Sequence, residues 1–178
     1  TSHYFGTHFA ECFGITFTGR DNTQQVPHQT SWGVSTRMIG AIIMVHGDDN
    51  GLVLPPKIAP IQLVIVPIAV HKPGVLEKAR ELQEQLKGQF RVKLDDSDNS
   101  PGWKFAQYEM KGVPLRLEIG PKDIENNQCV LVTRHNREKT FVSLDELPQM
   151  IEKKLQEVHD GIYQRALENL KEKTSVAT

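Results

Sequence analysis

The residues best suited to chemistry begin in the stretch TSWGVSTR, positions 30–37. Arg37 offers a planar fork of donors that suits phosphate, and its flat face can stack on a base. It begins an otherwise apolar run, where a buried charge is costly unless an anion meets it. The spacing leaves two partners open for this side chain: a bound anion, or an internal ion pair with Asp48 or Asp49.

A second group of candidates lies in GWKFAQYEMKGVPLRLEIGPKD, residues 102–123. Phe105 and Glu109 are one helical turn apart and therefore share a face. Single-stranded bases are read by stacking and by hydrogen bonds to their edges, so an aromatic ring, an acceptor and basic donors suit that task. The alternative from the residues alone is that Phe105 belongs to the core and Glu109 pairs with Lys104 or Lys111.

Other reactive motifs are missing from the sequence. It has no cysteine and histidine cluster with metal-ligand spacing, no phosphate loop and no glycine-flanked nucleophilic serine. The adjacent acids Asp48 and Asp49 stand beside glycine, a pattern more typical of a solvated turn than of a metal site. We therefore expect no metal site within the chain. Cys12 and Cys129 are far apart, and we expect both to be buried, reduced thiols.

Composition restricts the class of protein. The net charge of −1 over 178 residues excludes a uniformly basic nucleic-acid coat, although a local basic face remains possible. The longest apolar runs, such as residues 61–70, have about half the length of a bilayer span. We expect a soluble, cytoplasmic protein that does not enter a membrane. The chain begins without methionine, and we expect it to be a piece of something larger.

The first region of the chain has a mixed pattern. The stretch VSTRMIGAIIMV, residues 34–45, is apolar nearly throughout and favours a helix that follows a short strand. Ser35 or Thr36 can cap this helix, and Gly47 can end it. The glycine- and proline-rich segment that follows indicates a junction. We predict two domains, residues 1–58 and residues 59–178.

The second region alternates between strands and helices, which predicts an α/β domain with a mixed sheet. Ser100 and Pro101 form a helix start signal. Strands are expected over 61–68, 90–94, 114–120 and 128–133, and helices over 74–87, over 100–112 and from 145 onward.

Three stretches, TSHYFGTHFAECF, TSWGVSTRMIGAIIMVHGDDNGLVLPPKIAPIQLVIVPI and PGWKFAQYEMKGVPLRLEIGPKD, resemble the later part of the prolyl-tRNA synthetases in order and spacing. The similarity is to the subgroup shared by archaea, eukaryotes and some bacteria. The segment around Arg37 resembles motif 3 of the class II aminoacyl-tRNA synthetases. The resemblance implies a mixed-sheet α/β anticodon-binding domain, preceded by the C-terminal piece of an antiparallel-sheet catalytic domain.

The resemblance also implies the roles of particular residues. In this family ATP is bound with Mg²⁺ as a substrate, here by Thr1, Ser35 and Arg37, of which Arg37 is the catalytic residue. Proline would lie against His3, Trp32 and Gly33, where the missing glycine side chain allows close approach. The guanines at the second and third anticodon positions would be recognised by Phe105, Glu109, Arg116 and Lys122.

The implied reaction joins proline to ATP as prolyl-adenylate and then transfers it to tRNA(Pro). The implied partners are tRNA(Pro), ATP, L-proline and a second copy of the parent protein, with no role for DNA or a membrane. The family's motifs 1 and 2 are missing, so we expect the chain alone to be inactive. The family's usual LGQNF is FGTHF here, with Thr7 and His8 as departures.

Two other functions stay open. The chain could be a free-standing RNA-binding or regulatory module built on the anticodon domain, but residues 1–56 argue against this because such a module has no use for an ATP site. It could also be a nucleotide-dependent enzyme outside translation. The near-complete pattern of residues 102–123 argues against that alternative.

Overall fold

The computed structural model describes residues 1–175. The chain divides into two compact units, Thr1–Ala41 and Ile42–Thr178. The division into domains at 58/59 stays a prediction. We refer to the compact units as unit 1 and unit 2.

Unit 1 is built from short elements. In chain order the elements are β1 (Ser2–Gly6), α1 (His8–Cys12), β2 (Phe17–Thr18), β3 (Gln24–Gln25), β4 (Gln29–Trp32) and α2 (Arg37–His46). The strands form two antiparallel pairs, β1 with β4 and β2 with β3. The helix expected after a short strand is confirmed: it begins at Arg37 and continues into unit 2.

Unit 2 contains a five-stranded mixed sheet and the helices that follow α2. The elements are β5 (Leu63–Pro67), α3 (Val75–Leu86), β6 (Val92–Leu94), α4 (Pro101–Met110), β7 (Leu115–Ile119), α5 (Pro121–Glu125), β8 (Gln128–Thr133), β9 (Lys139–Ser143) and α6 (Leu147–Glu172). The strand order is β6-β5-β7-β8-β9. Strand β5 is parallel to β6 and β7, whereas β7, β8 and β9 are antiparallel neighbours. The predicted α/β class with a mixed sheet is confirmed.

The two faces of this sheet differ. Leu115, Leu117 and Ile119 alternate along β7 onto one face, where they form the main core with residues of α3 and α6. The opposite face carries a smaller cluster, in which Val64 packs with Tyr108 of α4. Arg116 and Glu118 of β7 point to this second face, as their alternation predicts. The fold therefore presents charged groups of β7 on the side of α4.

The two cysteines differ in exposure, although the sequence predicts that both are buried. The expectation for Cys129 is confirmed: this residue is buried, and its burial raises the pKa of its thiol to about 12. The expectation for Cys12 is wrong, because this thiol is exposed on α1, a five-residue helix that buries only Ala10. Among residues 1–175, no helix is long and apolar enough to span a bilayer.

Candidate functional site

Helix α4 positions the aromatic and acidic candidates of the second group. Ser100 has an extended backbone conformation, and its Oγ accepts a hydrogen bond from the Trp103 N–H at 3.4 Å, as an N-cap does. Lys104 ties the helix to the residue that follows β6: its buried Nζ donates to the Asp95 carbonyl at 2.9 Å. Lys104 therefore points into the fold and does not pair with Glu109.

Phe105 and Arg116 meet between α4 and the sheet. The Arg116 guanidinium lies over the Phe105 ring, 4.0 Å from its centroid. The same guanidinium donates through Nε to Glu118 Oε1 at 2.9 Å. A cation stacked on an aromatic ring and tied to a carboxylate has a fixed orientation. Phe105 is only half-buried, so part of this stacked pair remains accessible.

Glu109 is held by two arginines that follow β8. Its side-chain Oε1 accepts from Arg137 Nε at 2.6 Å, and its backbone carbonyl accepts from Arg134 Nε at 2.8 Å. Glu109 is mostly covered, with 24% of its side chain exposed, whereas 56% of the Arg137 side chain is exposed. The alternative pairing of Glu109 with Lys104 or Lys111 is wrong, because Arg137 takes that place.

Arg134 is a buried anchor rather than a surface charge. Its side chain is 3% exposed, and its two terminal nitrogens donate to both oxygens of Asp48 at 2.8 and 2.7 Å. This fork-shaped pair lowers the pKa of Asp48 from 3.8 to about 2. Asp48 is therefore an ion-pair partner within unit 2, not simply part of a solvated turn.

A pocket of about 170 Å³ opens between α4, the sheet and the β8–β9 turn. It brings together Glu109 and Arg116, and the Phe105 ring lies against Arg116 beside it. Lys122, exposed on α5, does not line this pocket. The lining residues are Val64, Tyr108, Glu109, Val113, Arg116, Val132, Thr133, Arg134, Arg137 and Lys139.

Sequence reasoning missed the basic residues of the β8–β9 turn and of the first position of β9. Arg134, Arg137 and Lys139 all line the pocket, although Arg137 is 28 residues away from Glu109 in the sequence. A signal was present, because the stretch TRHNREK at 133–139 places three cations directly after a buried strand.

Unit 1 brings four of its candidates together across the β1–β4 pair. Thr1 and Gly33 exchange backbone hydrogen bonds, each 3.0 Å long. Ser2 lies opposite Trp32, and His3 is the next residue along β1. The Trp32 side chain is exposed.

Ser35 and Arg37 lie together at the start of α2. The Arg37 backbone N–H donates to Ser35 Oγ at 3.4 Å, and the Arg37 side chain is exposed. The dipole of a helix start favours a nearby anion. Within the described residues 1–175, no group of three or more histidine, cysteine, aspartate or glutamate side chains could hold a metal ion.

The chain is similar to known proteins along nearly its whole length. The chain is similar to proline–tRNA ligases from Ruminiclostridium cellulolyticum (62% identical over 177 residues) and Clostridium botulinum strain Loch Maree (60% over 178), and to proline–tRNA ligase 2 from Bacillus cereus (59% over 178). These alignments cover 99 to 100% of this chain but only 37% of each relative. The predicted resemblance is confirmed. The family described as anticodon binding domain matches residues 62–154, and the chain belongs to that family.

Proposed function

We propose that the chain is the part of a proline–tRNA ligase that reads the anticodon of tRNA(Pro) and completes the ATP and proline sites. Residues 59–178 would read the anticodon, and residues 1–58 would contribute to binding ATP and proline. The observation that carries this proposal is the pocket in which the carboxylate of Glu109 lies near the stacked Phe105 and Arg116 side chains.

The pocket suits a guanine base. A carboxylate only accepts hydrogen bonds, and guanine offers N–H donors at its ring nitrogen and its amino group. The Phe105 ring and the Arg116 guanidinium supply flat faces for stacking. Adenine lacks the ring N–H donor, so it would leave part of the Glu109 carboxylate unpaired. Lys122 would contact a neighbouring nucleotide outside the pocket.

The chemical half of the proposal rests on unit 1. Arg37 would bind ATP, carried with Mg²⁺, together with Ser35 and Thr1, and would stabilise the charge that shifts at the α-phosphate. Proline would lie against Gly33, Trp32 and His3, which the β1–β4 pairing brings close to Thr1. The chain supplies no covalent nucleophile in this scheme, and catalysis rests on orientation and electrostatics.

The partners proposed for the whole protein are tRNA(Pro), ATP, L-proline and a second copy of itself. Its place would be the cytoplasm, with no role for DNA or a membrane. The identity of about 60% with proline–tRNA ligases supports these assignments.

A chimera tests both halves of the proposal. This chain would replace the matching 177 residues of the Ruminiclostridium cellulolyticum ligase. Arg37→Ala should lower proline-dependent ATP–pyrophosphate exchange by roughly a hundredfold or more. Glu109→Gln should leave exchange near its original rate and lower charging of tRNA(Pro) by roughly 5- to 100-fold, the cost of one lost base contact.

Glu81→Gln is the matched control, because Glu81 is an exposed glutamate of α3 paired with Lys78 at 3.0 Å. It should change neither reaction. Unchanged exchange in Arg37→Ala would refute the ATP role of this arginine. Charging by Glu109→Gln at the rate of the unmodified chimera would refute the anticodon role of Glu109.

A further inference from the structure

Arg137 has a backbone conformation that its side chain disfavours. It lies in the turn between β8 and β9 with φ of 60°, where its N–H donates to the Thr133 carbonyl at 3.0 Å. Glycine or asparagine suits such a left-handed position better than arginine. A non-glycine residue held in this region is a reason to look for a role of its side chain.

The Arg137 side chain is the more exposed partner in its ion pair. The backbone of Glu109 is fixed, because its carbonyl accepts a hydrogen bond from Arg134, which is itself paired with Asp48. Among residues 1–175, Arg137 donates the one side-chain hydrogen bond to Glu109 Oε1, and 56% of the Arg137 side chain is exposed. Its guanidinium can turn into solvent without becoming a buried charge, so Arg137 can leave the carboxylate when Glu109 gains another donor.

Guanine and the guanidinium group offer similar donors. Each presents neighbouring N–H groups in one plane, and each can bind a carboxylate through two parallel hydrogen bonds. A guanine that takes both oxygens of Glu109 therefore competes with Arg137 for Oε1. The displaced cation needs another anion, and a guanidinium suits the phosphate of a nucleotide.

We propose that Arg137 exchanges partners when RNA binds: it leaves the Glu109 carboxylate to a guanine and moves onto a backbone phosphate. This inference rests on the proposed function, because it uses the same pocket. The exchange leaves neither charged group without a hydrogen-bond partner. Glu109 passes from a cation to a neutral donor edge, and Arg137 passes from a carboxylate to a phosphate. Glu109 thus recognises guanine, and Arg137 adds a phosphate contact that forms once guanine has taken the Glu109 carboxylate.

The test is the salt dependence of RNA binding by the 178-residue chain. The probes are a fluorescent anticodon stem–loop with guanine at the second and third anticodon positions and the same hairpin with adenine there. For the guanine hairpin, Arg137→Gln should weaken binding by about threefold to tenfold and reduce the slope of log affinity against log salt by roughly 0.7, as expected for one lost phosphate contact. The adenine hairpin should keep its slope, because Arg137 stays on Glu109 when no guanine replaces it.

Two further variants complete the test. Arg137→Gly removes the same charge while it relieves the left-handed backbone, so it keeps the turn and should change the slope as Arg137→Gln does. Arg80→Gln is the matched control: Arg80 is an exposed arginine of α3, paired with Asp96 at 3.4 Å. Helix α3 packs on the sheet face opposite α4, so this variant should leave the slope nearly unchanged.

The outcomes separate this inference from the proposed function. If the unmodified chain shows no preference for guanine, the proposed function fails and the partner exchange fails with it. If the chain prefers guanine but both Arg137 variants keep its salt slope, only the exchange is overturned. A lost guanine preference at an unchanged slope also overturns it, because Arg137 would then only position Glu109.

Discussion

The two units differ in how many buried side chains pack around their candidate residues. Among residues 1–41, all of which the structure describes, Ala10 is the one buried residue, and large apolar side chains such as Trp32, Phe13 and Tyr4 are mostly exposed. Unit 2 has a layered core, in which Leu63 and Leu117 are completely buried. Because burial of apolar surface is the main stabilising term, unit 2 carries most of the folding free energy of this chain.

The difference shows two ways of positioning a site. In unit 1, Thr1 and Gly33 are neighbours through backbone pairing between two strands. In unit 2, hydrogen bonds fix the pocket beside Glu109: Arg134 donates to the Glu109 carbonyl and is itself paired with Asp48. Glu109 belongs to α4, which packs on the sheet. A substitution in the core of unit 2 should therefore disturb its site, whereas changes in unit 1 should have local effects.

The largest expected effect comes from the core of unit 2. Leu117→Ala, in the middle of β7, should lower the free energy of unfolding by about 2–5 kcal/mol because it leaves a cavity among packed neighbours. Phe13→Ala is the counterpart in unit 1 and should change it by less than about 0.5 kcal/mol, since 74% of Phe13 is exposed. Urea unfolding followed by circular dichroism measures both. Equal losses would contradict the contrast between the units.

A smaller effect is expected for Asp48, which belongs to unit 2 and to the predicted domain 1–58. Its carboxylate accepts from Arg134 of the same unit. Asp48→Asn should cost about 2 kcal/mol, because it leaves the buried Arg134 charge with a weaker partner. Asp49→Asn, the exposed neighbour, should stay within about 0.5 kcal/mol.

The pH dependence gives an independent readout of the same pair. Arg134 lowers the folded-state pKa of Asp48 to about 2, below its usual 3.8. The stabilisation is therefore present above pH 4 and is lost as the pH falls towards 2. Unfolding free energies measured between pH 5 and 2 should fall less steeply for Asp48→Asn than for the original chain. Identical slopes would show that the ion pair contributes nothing.

The sequence predicted the fold where the pattern is continuous. Strands β5 and β8 are unbroken apolar runs, which is typical of strands covered on both faces. Strand β9 escaped prediction because Lys139 and Phe141 are exposed on it, so its apolar pattern is weak. Helix α5 has five residues, too few for a helical period to appear.

The candidate site was predictable only in part, for a different reason. Phe105 and Glu109 share a helical face, so local spacing reveals them. Arg137 reaches Glu109 only because the β8–β9 hairpin folds back beside α4, and no local pattern encodes that approach. Arg134 and Asp48 are 86 residues apart, which no spacing rule covers.

The smallest effect compares one kind of helix cap in the two units. Ser100 caps α4 through its bond to the Trp103 N–H, and Ser35 makes a similar bond to the Arg37 N–H at the start of α2. Removing an N-cap hydroxyl generally costs about 1 kcal/mol. Ser100→Ala should cost about that much in urea unfolding of unit 2, because α4 covers part of its sheet. Ser35→Ala should leave the transition within about 0.3 kcal/mol, because the start of α2 buries no side chain in the core.

Amide hydrogen exchange is the second measurement: Ser35→Ala should speed exchange only in the first turn of α2, whereas Ser100→Ala should speed it throughout α4. If Ser35→Ala destabilised unit 2 as much as Ser100→Ala does, the two units would unfold as one, and the contrast between a paired-strand support and a packed support would be wrong.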